Sequence, residues 1–250
     1  MTVMDLLLLS NSSAPGCGYL EHAREPLSEI LHDVDELVFL PFALADYEAY
    51  TEQVREAMAP LGISVVGAHG SDPASTIGEA KALFTGGGNT FRLMHAVHAL
   101  GLLDIIKSRV AYGIPYIGSS AGTNVAAPTL RTTNDMPIVE PPSFESFGFV
   151  PFQINPHYLD PDPTSLHQGE TREERIIQFL EENDVPVLGM REGTWLRGEA
   201  GTLTLGGGNA GARLFQRGKQ PLEIATGSNL TFLRGIPTRF DSPQQRSSKA

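Results

Sequence analysis

The amino-acid sequence predicts an α/β fold in which a mainly parallel sheet carries helices on both faces. Three observations lead to this prediction. Short apolar runs, each ended by Ser, Gly, Pro or Asn, alternate with amphipathic stretches through the first half of the chain. The runs are apolar at nearly every position, which is typical of strands buried on both faces. Towards the C-terminus, short apolar runs separated by glycine turns indicate added antiparallel strands.

The elements of the first half follow one another as strand, helix, strand. Buried strands are predicted at Leu6–Leu9, Leu37–Phe42, Ile63–Val66, Ala82–Phe84 and Ile114–Ile117. Helices are predicted at about Tyr19–Leu31, Glu48–Met58, Thr90–Leu100 and Leu102–Ala111. This spacing is that of βαβ units, whose crossovers are right-handed and whose sites gather at the carboxyl ends of the strands.

The second half of the chain has a less regular pattern. Thr171–Glu182 is predicted to be a helix, because Thr171 and Glu174 have the spacing of a capping box. Further strands are predicted at Val185–Met190, Thr202–Leu205, Arg213–Phe215 and Leu230–Leu233. No linker is long enough to divide the chain, so residues 1–240 are expected to form one domain, followed by a polar, disordered tail at residues 241–250.

Composition and charge exclude several classes of protein. Hydrophobic residues make up 41% of the 250 residues, as in ordinary globular proteins. The net charge is −11 and no Lys/Arg cluster occurs, which argues against a nucleic-acid partner. Cys17 is the single cysteine, so no intrachain disulfide can form. The apolar run Leu6–Leu9 is too short for a signal peptide or a membrane span. We therefore expect a soluble, cytoplasmic protein.

The pentapeptide Gly118–Gly122 has the G-x-S-x-G form of a nucleophile elbow. It follows an apolar strand and precedes a helix start, which is the context that such an elbow requires. Small residues on both sides let the backbone turn sharply, and the N–H after the serine then faces an oxyanion. The spacing predicts Ser120 as the nucleophile, with Ser119 as the competing hydroxyl.

A serine nucleophile needs a base, and the base needs an orienting carboxylate. His157 follows an apolar strand on an Asn-Pro turn, where it is well placed to reach the elbow. Two carboxylates are candidates for the orienting group: Asp135, in a polar loop after the elbow helix, and Glu192, after the predicted strand Val185–Met190. Their spacing in the sequence selects neither. His95 and His98 are three residues apart on a helix. They lack a third ligand pattern, so we expect packing rather than metal binding.

Gly86–Thr90 (GGGNT) ends a predicted strand and opens a helix. Dinucleotide binding is disfavoured, because the third glycine of G-x-G-x-x-G is missing and the loop follows the fourth strand. A phosphate-binding P-loop is also disfavoured, because no Gly-Lys-Ser/Thr follows. Because glycines have no side chains, the backbone N–H groups of this loop can approach a ligand closely. We expect one of them to form half of an oxyanion hole, with the N–H of Ala121 as the other half.

Six blocks of sequence, taken together, form a highly specific pattern. They are Leu6–Ser13 (LLLLSNSS), Gly86–Phe91 (GGGNTF), Tyr116–Asn124 (YIGSSAGTN), Arg131–Val139 (RTTNDMPIV), Gln153–His157 (QINPH) and Gly169–Arg175 (GETREER). In order and spacing, from about residue 4 to about residue 235, the chain resembles serine peptidase family S51, the peptidase E family of aspartyl dipeptidases.

The resemblance implies hydrolysis of dipeptides with an N-terminal aspartate, without a metal or cofactor. It implies a flavodoxin-like fold similar to the class I glutamine amidotransferase domain. Ser120 matches the family's nucleophile and His157 its general base. Glu192 is the favoured orienting carboxylate, and Asp135 is expected near the site, in contact with the substrate's amino group.

Further roles follow from the same resemblance. Gly88 and Ala121 would supply the oxyanion N–H groups. Arg172 would clamp the substrate carboxylate, since arginine binds a carboxylate through two parallel hydrogen bonds. The competing interpretation is that Arg172 pairs with carboxylates on its own helix face. Asn89 is expected to contact the substrate. The partner is thus a small peptide, and the protein itself is expected to be a monomer or homodimer.

Two alternatives remain at this stage. One is a cyanophycinase-like β-aspartyl peptidase, although the oxyanion loop of that group usually reads Gly-Gly-x-Gln and Asn89 stands here. The other is a non-catalytic, amidotransferase-like binding module. Such a module would be expected to lose His157 or the elbow glycines, and the sequence keeps both.

Overall fold

Two β-sheets form the centre of the computed structural model, which describes residues 4–13, 16–161, 164 and 169–242. Within these ranges the strands are β1 (Leu6–Leu9), β2 (Glu36–Leu40), β3 (Ser64–Gly67), β4 (Leu83–Thr85), β5 (Tyr116–Ser119), β6 (Gln153–Asn155), β7 (Val187–Met190), β8 (Thr194–Glu199), β9 (Thr202–Gly207), β10 (Ala212–Phe215) and β11 (Leu222–Ile224).

The helices of the described ranges connect these strands. They are α1 (Arg24–Ile30), α2 (Tyr47–Met58), α3 (Pro73–Gly78), α4 (Thr90–Ala99), α5 (Leu103–Ala111), α6 (Ala121–Asn124) and α7 (Arg172–Glu182). Short 3-10 helices lie at Glu21–Ala23, Ala59–Leu61, Leu130–Thr132 and Thr231–Gly235. None of the helices in the described part of the chain combines the length and apolar character that crossing a membrane requires.

The larger sheet has seven strands in the order β3-β2-β4-β5-β1-β8-β9. β3, β2, β4, β5 and β1 run parallel to their neighbours, whereas β8 pairs antiparallel with β1 and β9 antiparallel with β8. The carboxyl ends of β1 and β5 are in register, with Leu9 beside Ser119. The end of β1 therefore lies directly beside the predicted elbow.

Helices cover both faces of this sheet, as predicted. Leu6 and Leu8 of β1 belong to one apolar core, which also includes side chains of α3, α4 and α5. Leu7 and Leu9 belong to a second core, which includes side chains of α1 and α2. Successive strand residues point to opposite faces, so an entirely apolar strand has a helix layer to contact on each side.

The smaller sheet has the order β11-β10-β7-β6. β6 and β7 are parallel, and β10 and β11 are antiparallel additions. Asn155 of β6 lies beside Gly189 of β7. The residues that follow these two strands, among them His157 and Glu192, consequently emerge at the same edge.

Several predicted elements differ in the structure. The strand predicted at Leu230–Leu233 is wrong: this segment enters the 3-10 helix Thr231–Gly235, whose first N–H donates to Asn229 Oδ1 at 2.9 Å. The helix predicted at Tyr19–Leu31 is divided into the 3-10 helix Glu21–Ala23 and α1. Strands β8 and β11 and helix α3 have no counterpart in the prediction. Of the predicted tail, residues 243–250 lie outside the described residues.

The capping box predicted at α7 is present. Thr171 Oγ1 accepts from the Glu174 N–H at 3.1 Å, and the Glu174 carboxylate accepts from the Thr171 N–H at 2.7 Å. Such a box satisfies two N–H groups that the first helical turn leaves unpaired. The start of α7 is thereby fixed, and with it the position of Arg172.

Candidate active site

Ser120 occupies a strained turn between β5 and α6. Its backbone has φ 52° and ψ −108°, a combination that non-glycine residues rarely adopt. The flanking glycines are required by close backbone contacts. A Cβ at Gly118 would lie 2.6 Å from the carbonyl oxygen of Gly122, and one at Gly122 would lie 2.0 Å from that of Thr85. The Ser120 N–H donates to the Leu9 carbonyl at 3.1 Å, so β1 holds the turn.

His157 connects Ser120 with Glu192. Its Nε2 lies 2.8 Å from Ser120 Oγ, and its Nδ1 lies 2.8 Å from Glu192 Oε1. Since an ionised carboxylate can only accept, Nδ1 carries the proton and Nε2 is left to accept from the serine hydroxyl. The three side chains are thus arranged as the serine, histidine and carboxylate of a catalytic triad are.

Ser10 and Asn11, at the end of β1, hold the backbone around this triad. The buried Ser10 Oγ accepts from the His157 N–H at 3.0 Å and donates to the Met190 carbonyl at 2.8 Å. Asn11 Oδ1 accepts from the Gly193 N–H at 2.7 Å. Sequence analysis did not assign a role to these two residues. The signal was a polar pair directly after an entirely apolar strand, at the edge where the site lies.

Ser10→Ala is expected to lower the free energy of unfolding by about 1–3 kcal/mol, because it leaves the His157 N–H without its acceptor, whereas the Met190 carbonyl keeps its bond from the Tyr158 N–H. His157 has φ 52°, so its backbone relaxes once this support is lost. We also expect kcat to fall by about tenfold. Urea unfolding and dipeptide hydrolysis measure the two effects. The exposed Ser13→Ala serves as the control, and equal stability of both variants would contradict this role of Ser10.

Asp135 lies at the start of α4 and not at His157. Its Oδ2 accepts from the Thr90 N–H at 2.7 Å, from Thr90 Oγ1 at 2.6 Å and from Thr133 Oγ1 at 3.1 Å. A carboxylate at this position stabilises the helix N-terminus. Of the two carboxylates that the sequence left open, the structure brings Glu192 to the histidine. A contact of Asp135 with the substrate's amino group stays a prediction.

The Gly86–Thr90 loop lies against Ser120. A Cβ at Gly87 would be 3.0 Å from Ser120 Cβ. Gly88 has φ +129°, and a Cβ there would lie 2.6 Å from the Ala43 carbonyl oxygen, so only glycine fits. The N–H groups of Gly88 and Ala121 donate to no acceptor within the described ranges. Both donors are therefore free to bind an oxyanion.

The polar atoms of Asn89 already bind the protein. Its Oδ1 accepts from the Arg92 N–H at 3.0 Å, which caps α4, and its Nδ2 donates to the Met136 carbonyl at 2.9 Å. These contacts join the glycine loop to the segment after Asp135. A direct contact between Asn89 and the substrate stays a prediction.

Arg172 is the first residue of α7 and is half-buried. It forms no hydrogen bond or ion pair with any residue that the structure describes. Its helix neighbours have partners: Glu173 binds Arg213 at 2.7 Å and Arg175 lies 3.7 Å from Glu170. Burial lowers the pKa of the Arg172 guanidinium and Arg175 lowers it further, while Asp135 raises it. A partly desolvated cation without a partner is a suitable site for a carboxylate.

The two histidines of α4 each lie within hydrogen-bond distance of a backbone carbonyl. His95 Nδ1 lies 3.0 Å from the Glu140 carbonyl oxygen, and His98 Nε2 lies 2.9 Å from that of Glu145. Both contacts attach the segment after Asp135 to α4. In the part of the chain covered by the structure, His, Cys, Asp and Glu form no group of three or more that could hold a metal ion.

A serine on a strained elbow, hydrogen-bonded to a histidine–glutamate pair at the edge of a parallel sheet, defines the class of serine hydrolases. The family model described as Peptidase family S51 matches residues 6–206. The chain therefore belongs to peptidase family S51, and the family predicted from its motifs is confirmed.

Individual relatives agree with this assignment. The chain is 58% identical over 240 residues to "Peptidase E" of Streptomyces coelicolor, covering 96% of this chain and 98% of the relative. It is 48% identical over 235 residues to the "Probable alpha-aspartyl dipeptidase" of Drosophila melanogaster, covering 92% and 97%.

Solved structures show the same fold. A putative peptidase E protein from Listeria monocytogenes superimposes with a TM-score of 0.63 at 18% identity, over 82% of this chain and 98% of that one. A peptidase from an acI-B1 Actinobacterium gives a TM-score of 0.63 at 16% identity, over 91% and 96%.

Proposed function

We propose that this protein is a serine exopeptidase that hydrolyses dipeptides carrying an N-terminal aspartate, through an acyl-enzyme on Ser120. The continuous hydrogen-bonded chain from Ser120 Oγ through His157 to Glu192 is the observation that supports this proposal most directly. The names of the relatives, Peptidase E and probable alpha-aspartyl dipeptidase, support the substrate class.

In the first half of the reaction, Ser120 Oγ attacks the carbonyl carbon of the Asp-X bond while its proton passes to His157 Nε2. Glu192 accepts from Nδ1 and stabilises the imidazolium. The tetrahedral oxyanion accepts from the N–H groups of Gly88 and Ala121. His157 then protonates the leaving amine, which releases the second amino acid and leaves an aspartyl ester on Ser120.

In the second half, water attacks the ester carbonyl while His157 Nε2 takes one of its protons. The same two N–H groups stabilise the second tetrahedral oxyanion. Its collapse breaks the ester bond, and His157 returns the proton to Ser120 Oγ. Aspartate leaves and the triad is restored, so no cofactor is consumed.

Selectivity for aspartate is assigned to Arg172. We expect Arg172→Gln to lower kcat/KM for Asp-Leu by about 30- to 5,000-fold, because removing one member of a desolvated charge pair costs about 2–5 kcal/mol. The ratio of kcat/KM for Asp-Leu to that for Asn-Leu should fall to within about threefold of unity, because the enzyme has lost the positive charge that distinguishes the aspartate carboxylate from the asparagine amide.

Arg175→Gln is the matched control for Arg172→Gln. Arg175 lies on the same helix but is exposed, and it forms an ion pair with Glu170. Its loss should leave the Asp/Asn ratio within about twofold of that of the unmodified enzyme. A preference for aspartate that survives Arg172→Gln would place the carboxylate clamp elsewhere.

The activity is tested with four dipeptides: Asp-Leu, Asn-Leu, Leu-Leu and β-Asp-Leu, each with and without EDTA. Cleavage of Asp-Leu alone, at the same rate in EDTA, supports the proposal. Cleavage of β-Asp-Leu alone would favour the β-aspartyl alternative. Failure to cleave any of them, together with no labelling by a fluorophosphonate, would favour a binding module.

We also propose that the protein acts in the cytoplasm as a monomer or homodimer. Cys17 is free and exposed, which suits a reducing compartment. Sedimentation velocity measures the oligomeric state, and a species larger than two chains would contradict this part of the proposal.

A further inference from the structure

A buried tyrosine holds the glycine loop beside Ser120. Tyr50 of α2 is only 5% exposed, and its hydroxyl donates to the Gly87 carbonyl at 3.1 Å. Its ring packs edge-on against Phe39, with the ring centroids 4.9 Å apart. No step of the proposed mechanism uses this side chain. We propose that Tyr50 is a positioning residue that fixes the direction of the Gly88 N–H toward the oxyanion, an inference that rests on the proposed function.

The geometry of the peptide bond connects the two groups. The carbonyl of Gly87 and the N–H of Gly88 belong to one planar peptide group, and in a trans peptide they point in opposite directions. The hydroxyl of Tyr50 anchors the carbonyl, so the N–H points away from Tyr50, where it meets no described acceptor. The direction of the oxyanion donor is thus set from the other end of the same peptide.

Such an anchor is needed because the loop is built from three glycines. Glycine resists rotation of its flanking peptides less than any other residue, since it has no Cβ. Without the bond from Tyr50, the Gly87–Gly88 peptide could rotate and present its carbonyl oxygen in place of its N–H. A carbonyl there would repel the oxyanion instead of stabilising it.

The hydroxyl of Tyr50 has a second hydrogen-bond partner besides Gly87. It lies 3.2 Å from the hydroxyl of Tyr19, and since its single hydrogen goes to Gly87, Tyr19 is the donor of this second bond. Burial raises the pKa of the Tyr50 hydroxyl, which keeps it a neutral donor at neutral pH. The loop approaches this hydroxyl so closely that a Cβ at Gly86 would lie 2.3 Å from it.

Tyr50→Phe removes the hydroxyl and keeps the ring. We expect kcat for Asp-Leu to fall by about 10- to 100-fold, less than the 100- to 1,000-fold typical of losing an oxyanion donor outright, because the N–H is displaced and not deleted. KM should stay within about twofold, since the ground state does not use the oxyanion donor. If Tyr50 only stabilised the fold, its loss would not lower kcat while leaving KM unchanged.

Two further variants identify the cause of the loss. Tyr19→Phe removes a buried hydroxyl from the same pair but leaves the bond between Tyr50 and Gly87, so kcat should stay within about threefold. Incorporating 4-aminophenylalanine at position 50 restores a donor at the same place and should recover most of kcat. Equal losses in the Tyr19 and Tyr50 variants, or no recovery with the amino group, would overturn the proposal.

Gly86→Ala disturbs the same bond without removing the Tyr50 hydroxyl. Its methyl group would meet the Tyr50 hydroxyl and the edges of the Tyr50 and Phe39 rings, and it would displace the hydroxyl from the Gly87 carbonyl. We expect the same fall in kcat at nearly constant KM. An unchanged kcat in any folded Tyr50→Phe or Gly86→Ala enzyme would overturn the inference.

A fluorophosphonate separates failure of this inference from failure of the proposed substrate. Ser120 Oγ attacks the phosphorus, fluoride leaves, the serine proton passes to His157, and the phosphonyl oxygen takes the place of the oxyanion. The reaction needs no aspartyl group. If Tyr50→Phe is labelled more slowly than the unmodified enzyme, the inference is supported, even if the unmodified enzyme cleaves no Asp-X dipeptide. If the two enzymes are labelled at equal rates, the inference is overturned, even if the unmodified enzyme does cleave Asp-X dipeptides.

Discussion

Ser120→Ala is expected to lower kcat for Asp-Leu by about 10⁵- to 10⁶-fold, since removal of a serine nucleophile leaves only the rate supplied by binding and the oxyanion donors. The fold should be unaffected. The strain at Ser120 lies in the backbone, which alanine also has to adopt, and the flanking glycines remain. The measurement is single-turnover hydrolysis, with circular dichroism to verify the fold.

Ser119→Ala is the control for this experiment. Ser119 is the adjacent residue and is fully buried, and its hydroxyl has no hydrogen-bond partner in the described structure. Its removal should leave kcat within about threefold. A fluorophosphonate should label the Ser119→Ala enzyme and leave the Ser120→Ala enzyme unlabelled. The reverse pattern would assign the nucleophile to Ser119.

The parallel sheet and the elbow could be predicted because their causes are local in sequence. An apolar run such as Leu6–Leu9 needs apolar contacts on both faces, which only a covered sheet provides. The elbow needs small residues at Gly118 and Gly122, and the structure shows backbone oxygens within 2.6 Å of where their Cβ atoms would lie. In both cases the residue type is determined by the local structure that the segment itself adopts.

The remaining features depend on contacts between distant segments. Ser10 lies 147 residues before His157, and Tyr50 lies 37 residues before Gly87. No periodicity or turn signal encodes such pairs. The apolar character of Leu230–Leu233 indicated a strand, but the segment forms a 3-10 helix whose first N–H donates to the Asn229 side chain. Strands were predicted at Val185–Met190 and Arg213–Phe215, but their place in a second sheet was not, because the pairing of β6 with β7 is not visible in either strand alone.

The choice between the two carboxylates illustrates this difference. Asp135 and Glu192 both follow regular elements and both lie in motifs shared with the family, so sequence spacing could not separate them. The pairing of β6 with β7 brings Glu192 to His157 Nδ1. The hydrogen bonds of Asp135 direct its carboxylate to the start of α4 instead.

Glu192→Gln is therefore expected to lower kcat by about 10³- to 10⁴-fold, with KM nearly unchanged. The amide can donate as well as accept, so it no longer fixes the proton on His157 Nδ1, and it has no charge to stabilise the imidazolium. Glu192 is about half-exposed and has no described partner except His157. The melting temperature should consequently change little.

Asp135→Asn should act through a different route. Loss of its charge weakens the bonds to the Thr90 N–H and hydroxyl, at a cost of about 1–2 kcal/mol in the free energy of unfolding. It also removes a negative charge that interacts with Arg172, so its effect on catalysis should include KM. The orienting carboxylate is identified as the one whose loss lowers kcat without lowering stability. If Asp135→Asn did so and Glu192→Gln did not, the hydrogen bond between Glu192 and His157 would not be the catalytic one.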